Sequence, residues 1–534
     1  MLTKRIAPGG RTGTPGAYVY DATKVISYTY DALGNNITRR DPNGNTAVFE
    51  WDIHGNLLRE AIGTEEITYT YDKNGNVLSM TDALGTTTRV YDAFNRCIQK
   101  TVPFIGTGIY TYDLTSNLTP GHVAESTTDP RGNTTLREYD RAGRLIRVTD
   151  TDTNGTTHTV TYTYNADGSV ASVLYPDGAR EDYTYTIGHL LATLTNTLSD
   201  GTHLETYTYT YDPARNLLEK QDAKGTTLYT YDPLGRLQSV TEPSGKITVY
   251  TYDPSGNRAT QTVTEPGENG SAPTVLRTTY TYDPRNRLVR LEKHDLSDAA
   301  QAPVLTEVTD YTYDNNGNQL TTTRTTYANG IAGTPVLVQN NTYDVWNQLV
   351  RTETENGTVV ENAYNGDGRR VIKTVNGAST YYLYEYDKVV LETNVFGDVT
   401  GRNVYGLNLL IRTVGVDTFY YMYNGHADVT ALLTPSGQVA ATYYYDAFGN
   451  VLEQTGNVDN SILFAGYQYD KETGLYYLNA RMYDPITARF MQEDTYLGQQ
   501  NDPLSLNLYT YCHNSPLMYW DPTGHSAEYA VNYN

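Results

Sequence analysis

The chain has 534 residues and a formal net charge of −22, which argues against a general binder of nucleic acid or anionic membrane, because phosphate is repelled. Tyrosine is the outlier, with 51 residues against 8 Phe and 3 Trp, and this excludes an ordinary core built on Leu, Ile, Val and Phe. Two cysteines, Cys97 and Cys512, are too few for a disulfide framework, and no run of about 18 apolar residues marks a membrane helix.

The start, MLTKRIAPGG, carries positive charge but no apolar core, so no signal peptide is read there. A repeat begins almost at once. Its unit is Y-x-Y-D-x-x-G-N followed by a hydrophobic position. YTYDALGNNI at Tyr28, YTYDKNGNVL at Tyr69, YTYDPLGRLQ at Tyr229 and YTYDNNGNQL at Tyr311 are clear copies. FEWDIHGNLL at Phe49 and YTYNADGSVA at Tyr162 are degenerate ones. The motif aspartate recurs at Asp31, Asp52, Asp72, Asp92 and Asp113, a period of 20 or 21 residues. At Asp283, Asp314 and Asp344 the spacing stretches to about 30, which reads as loop insertion.

Each unit predicts a hairpin. Alternation puts the two Tyr rings of Y-T-Y on one face and Thr on the other. D-x-x-G is turn chemistry, with Asp capping backbone amides and Gly accepting positive φ. A second turn lies between many units, such as Asp41-Pro-Asn-Gly44 and Asp129-Pro-Arg-Gly132. The run lacks the alternating acids and closing Glu of a calcium loop, so capping is the reading preferred over metal ligation. Stacked units extend one sheet and bury each other's faces. The tyrosine stripe reads as shell packing, with outward faces open to glycans.

The pattern weakens after Tyr386-Asp387. The closing stretch carries Arg481-Met-Tyr-Asp-Pro485, Ala488-Arg-Phe490, Glu493-Asp494, Asn507-Leu-Tyr-Thr-Tyr511, Asn514-Ser-Pro516 and Asp521-Pro-Thr-Gly524. Cys512 and His513 suggest a nucleophile pair, but as neighbours on a predicted strand they face opposite sides and are discounted. His426, in N-G-H, reads as a turn residue.

On these residues the repeats resemble RHS, or YD, repeats, and the C-terminal stretch resembles the RHS-repeat-associated core domain. The resemblance implies an all-β, spiralling antiparallel β-sheet shell of tandem hairpins with a C-terminal plug-like core domain. The implied division is 1–400 for the repeats, 401–525 for the core domain, and 526–534 for the start of a variable C-terminal region. Such shells enclose a C-terminal polypeptide, often a toxin, and are secreted or displayed on the cell surface. The implied partners are that cargo and a secretion or delivery machinery, with no cofactor and no metal.

Members that cut themselves resemble aspartic proteases. The matching positions here are Asp494 and Asp521 for the two carboxylates and Arg481 for a guanidinium holding one of them as a bidentate pair. Two carboxylates sharing a site cannot both ionise cheaply, so one keeps a proton. The implied scissile bond joins His525 to Ser526. Thr495 stands where the family often has Pro, Ala488 where it has Gly, and His525 where Leu is common. The bland alternative is that Asp521 caps a turn and Asp494 pairs with Arg481. A competing function is a non-enzymatic adhesion shell that binds glycans or proteins. Nine residues after His525 cannot form a toxin domain, and together with the abrupt start this suggests a piece of a longer protein.

Overall fold

The computed structural model describes residues 2–8, 10–12, 14, 17–115 and 118–529. Of the variable segment expected at 526–534, residues 530–534 lie outside the described residues.

The unit spanning the strands Glu65–Tyr71 and Val77–Asp82 shows why the motif folds as it does. Asp72 Oδ1 accepts from the amides of Asn74 at 2.8 Å and Asn76 at 2.9 Å, and its Oδ2 accepts from the Asn76 carboxamide at 2.8 Å. Gly75 takes φ +86°. Where Arg replaces Asn, its guanidinium makes the same bond, as Arg236 Nε does to Asp232 at 2.7 Å. The turn therefore consumes both carboxylate oxygens, which explains the pairing of Asp with Asn or Arg four residues on.

Tyrosine is required in place of phenylalanine for a reason that links one unit to the next. The first ring of Y-x-Y is buried, as in Tyr229, Tyr250 and Tyr280. The second extends its hydroxyl to the return strand of the preceding unit. Tyr71 donates to the Leu57 carbonyl at 2.7 Å, Tyr282 to Arg258 at 2.8 Å, Tyr423 to Leu409 at 2.6 Å and Tyr445 to Val429 at 2.8 Å. The intervening Thr faces outward and bonds a Ser or Thr across the hairpin, as Thr70 does with Ser79 at 2.5 Å.

Repetition of this hairpin gives one antiparallel sheet of 40 strands that runs on to Val451–Thr455. The sheet spirals. Tyr69 bonds Gly366, 297 residues away; Asp150 bonds Arg402, 252 away; Tyr209 bonds Gly425, 216 away. From Tyr69 onward the separation shrinks, so the spiral tightens over that stretch. Contact starts turn on turn, with Asn43 bonding Asp314 at 2.9 Å. It ends strand on strand, where residues 145–250 and 404–433 share one hydrophobic core. The 30-residue spacing expected to be loop insertion is spent in part on longer strands. Val304–Tyr313 and Gln319–Ala328 have 10 residues each, against 5 in Leu237–Thr241.

The C-terminal segment lies across the rim formed by the Asp-x-x-Gly turns. A four-stranded sheet, Gln468–Asp470, Leu475–Leu478, Arg481–Asp484 and Arg489–Phe490, organises it. Asn507 bonds Asn257 at 2.7 Å, Asn514 bonds the Gly256 carbonyl at 2.8 Å, and Tyr509 bonds the Gly317 carbonyl at 2.9 Å. Glu493 bridges Arg5 at 2.6 Å and Arg285 at 2.7 Å. Arg370, on the sheet, is fully buried against Asp470 at 2.5 Å, with Lys373 adding a second cation at 2.9 Å.

The strand expected at Cys512 and His513 is instead a 3-10 turn, Tyr511–Asn514, with Cys512, His513 and Asn514 all at positive φ. Both ends are fixed by tertiary contacts. Tyr511 packs into an aromatic cluster with Phe464, Tyr467 and Tyr483, and Asn514 binds Gly256. The chain between them has no freedom to extend. Among the described residues, no helix is long and apolar enough to cross a membrane.

Candidate active site

Three separate elements bring Arg481, Asp494 and Asp521 together, all three buried. Arg481 opens the strand Arg481–Asp484 after a tight reversal at Asn479, φ +61°. Its guanidinium carbon lies over the Phe490 ring, 3.6 Å from the centroid. Asp494 follows the strand Arg489–Phe490, and its amide donates to the Leu508 carbonyl at 3.1 Å. Asp521 follows Tyr519–Trp520, and its amide donates to the Tyr467 hydroxyl at 2.7 Å.

The Asp-Pro-Thr-Gly turn is closed by Asp521 itself. Oδ1 accepts from the amides of Gly524 at 2.8 Å, His525 at 3.0 Å and Ser526 at 3.2 Å. Gly524 sits at φ +75°, and a Cβ there would run into the Leu478 carbonyl. Only glycine fits, for both reasons. The amide nitrogen of the His525–Ser526 bond is thus held on one carboxylate.

The expected bidentate pair is not formed. Arg481 Nε donates to the Gly524 carbonyl and Nη1 to the Leu508 carbonyl at 3.0 Å, leaving Nη2 for both acids. Nη2 lies 2.7 Å from Asp494 Oδ2 and 3.7 Å from Asp521 Oδ2. The second contact is longer than a hydrogen bond. Asp494 Oδ1 accepts from the Tyr496 amide at 2.8 Å and meets His525 Nδ1 at 2.8 Å. Of the roughly four lone-pair sites on a carboxylate, three are occupied. A cavity of about 260 Å³, lined by Asp494 and Thr495 with Arg5, Arg39 and Trp346 among others, opens beside this carboxylate. Its lining mixes charged and apolar groups, Ile26, Ile62 and Leu497 among the latter, and it has room for water.

The two acids differ electrostatically. Burial pushes the Asp521 carboxyl above its ordinary value; Arg481 and the turn amides oppose this, and Asp494 adds to it. Asp494 has the close cation. Burial thus favours the proton-bearing form of Asp521, the acid without a close cation. The Cys512 thiol is raised well above its usual range by burial, and the His513 imidazole is lowered by burial. Neither is arranged as a nucleophile and base. His426 is a turn residue, as expected, and its half-buried imidazole also meets the buried Asp428 at 2.9 Å.

Sequence reasoning did not find the Tyr467 hydroxyl, the Leu508 carbonyl or the His525–Asp494 contact. The first two come from segments with no motif of their own. His525 was singled out only as a neighbour of the scissile bond.

The family profile described as teneurin YD-shell matches residues 229–517, and the RHS repeat profile matches 71–104, 121–157 and 139–180. A tRNA3(Ser)-specific nuclease WapA from Bacillus spizizenii is 30% identical over 404 residues, 74% of this chain and 16% of the relative. A double-stranded DNA deaminase toxin A from Burkholderia cenocepacia is 24% identical over 363 residues, 60% of this chain and 22% of the relative. The crystal structure of TcdB2-TccC3-Cdc42 superposes with a TM-score of 0.56 at 18% identity, over 98% of this chain and 31% of that one. The chain thus spans about a sixth of the Bacillus relative and about a third of the solved chain.

Proposed function

The chain belongs to the teneurin YD-shell family of RHS-repeat proteins, and from that premise we propose that it is a shell that encloses a C-terminal polypeptide and severs it by self-cleavage at His525–Ser526. The carrying observation is the Ser526 amide held 3.2 Å from Asp521 Oδ1, beside a buried Arg481–Asp494 pair. The spiral sheet supports enclosure, because it wraps strand on strand and the C-terminal segment lies across one rim. The names of the nuclease and deaminase relatives support a toxin as the enclosed class. Secretion or cell-surface display, with a delivery machinery as partner, follows from the same reading.

The cleavage is hydrolysis by water. Asp494 draws a proton from water entering through the adjoining cavity, and the oxygen bonds to the His525 carbonyl carbon. The tetrahedral species collapses with loss of the C–N bond. Asp521, whose protonated form burial favours, gives a proton to the departing Ser526 nitrogen. Arg481 holds Asp494 in place and, through the Gly524 carbonyl, the turn as well. The products are a carboxyl at His525 and an amine at Ser526, and the enzyme turns over once.

The test uses the chain extended by a reporter polypeptide after Asn534. On a native column reporter and shell co-migrate and the reporter resists added protease; under denaturing conditions they separate into two pieces. A reporter digested as fast as the free polypeptide overturns enclosure. A single piece under denaturing conditions overturns self-cleavage.

A further inference from the structure

His525 is gripped twice. Asp521 takes its amide at 3.0 Å, and Asp494 takes its imidazole Nδ1 at 2.8 Å. The first contact belongs to the turn. The second does not, since the turn is already closed by three amides on Asp521 and by Gly524 on Arg481. What the imidazole adds is a contact between the residue that donates the scissile carbonyl and the carboxylate assigned to activate water.

We propose that His525 is a positioning residue for self-cleavage, its imidazole fixing the register of the scissile bond against Asp494. This rests on the cleavage reading above. The His525 side chain is 39% exposed, so the contact with Asp494 is what fixes the ring. The charged groups around that contact are Asp494 directly, Arg481 behind that carboxylate, and Asp521 from its own turn. With its amide on one acid and its ring on the other, His525 cannot slide the scissile bond along the site without breaking one of the two contacts.

The experiment refolds the 534-residue chain and follows release of the nine-residue peptide Ser526–Asn534 by mass. Wild type, His525→Asn and His525→Ala are compared, with circular dichroism to verify the fold of each. Asn keeps a donor for Asp494 and Ala has none. The expected results are the same cut at a similar rate in wild type and His525→Asn, and a cut about fivefold slower or at a neighbouring bond in His525→Ala. Identical rates and identical cut sites in all three folded proteins overturn the role of His525 and leave self-cleavage standing. No release by wild type overturns both.

Discussion

Asp470 offers the sharpest test of how the C-terminal segment is locked to the sheet. Burial alone would raise its pKa, but Arg370 and Lys373 outweigh burial and bring it from 3.8 down to about 2. Arg370 contributes two bonds, at 2.5 Å and 3.1 Å, and stacks on Tyr477 at 4.5 Å. The depressed value means the folded state holds the ionised form more tightly than the unfolded chain does. At about 1.4 kcal/mol per tenfold change in proton affinity, the difference is on the order of 2–3 kcal/mol. That stability is fully present above pH 3.8 and is lost as pH falls towards 2. Asp470→Asn removes the anion and leaves a buried guanidinium without its counter-charge, which costs about 3–5 kcal/mol. Replacing both partners, Arg370→Met with Asp470→Leu, recovers most of that loss because the buried guanidinium goes with its counter-charge and Lys373 keeps Glu472 at 2.7 Å. The assay is urea unfolding of the three proteins at pH 7, followed by tyrosine fluorescence, with limited proteolysis to map the segment that loosens. A loss below about 0.5 kcal/mol in Asp470→Asn, the range of an exposed pair, refutes the reasoning.

Three further outcomes follow from the same geometry. Tyr445→Phe strands the Val429 carbonyl in a buried site and lowers stability by about 1–3 kcal/mol, whereas Thr230→Val on the outer face, away from Asp232 and its turn, changes it by less than about 0.5 kcal/mol; denaturant midpoints separate the two. Burial raises the Glu181 carboxyl to about 7 against 4.5, so stability falls as pH rises from 4.5 to 7; Glu181→Gln is near neutral at pH 4.5 and stabilises by up to about 3 kcal/mol at pH 8, read from unfolding at both pH values. Gly524→Ala drives a Cβ into the Leu478 carbonyl, displaces the turn and stops release of Ser526–Asn534, with the sheet retained by circular dichroism.

The hairpin was legible because every part of it is local. Y-x-Y alternation, the Asp cap and the positive-φ Gly lie within ten residues, and each appears in the structure as the sequence reads. The tyrosine hydroxyl was harder. Its acceptor, such as Leu57 for Tyr71, lies in the preceding unit and carries no mark of its own. Contacts between revolutions were not legible at all. Arg402 meets Asp150 across 252 residues, and nothing in either neighbourhood names the other. The turn at Tyr511–Asn514 misled for the opposite reason. Three successive positive-φ residues without glycine are imposed by packing at both ends, so local propensity points the wrong way. At the candidate site, family motifs marked Arg481, Asp494 and Asp521, and the structure brings the three together. The loss of two guanidinium nitrogens to the Gly524 and Leu508 carbonyls could not be read from a motif.

The central claim is that the Arg481–Asp494–Asp521 cluster cuts the bond its own turn presents. Intact mass after refolding tests it most directly, on wild type and on Asp494→Asn and Asp521→Asn. The account predicts a wild-type chain ending at His525 with a free peptide beginning at Ser526, and full-length mass in both variants with the fold preserved. A folded wild-type chain that keeps residue 534, or variants that are cut as fast as wild type, contradicts it.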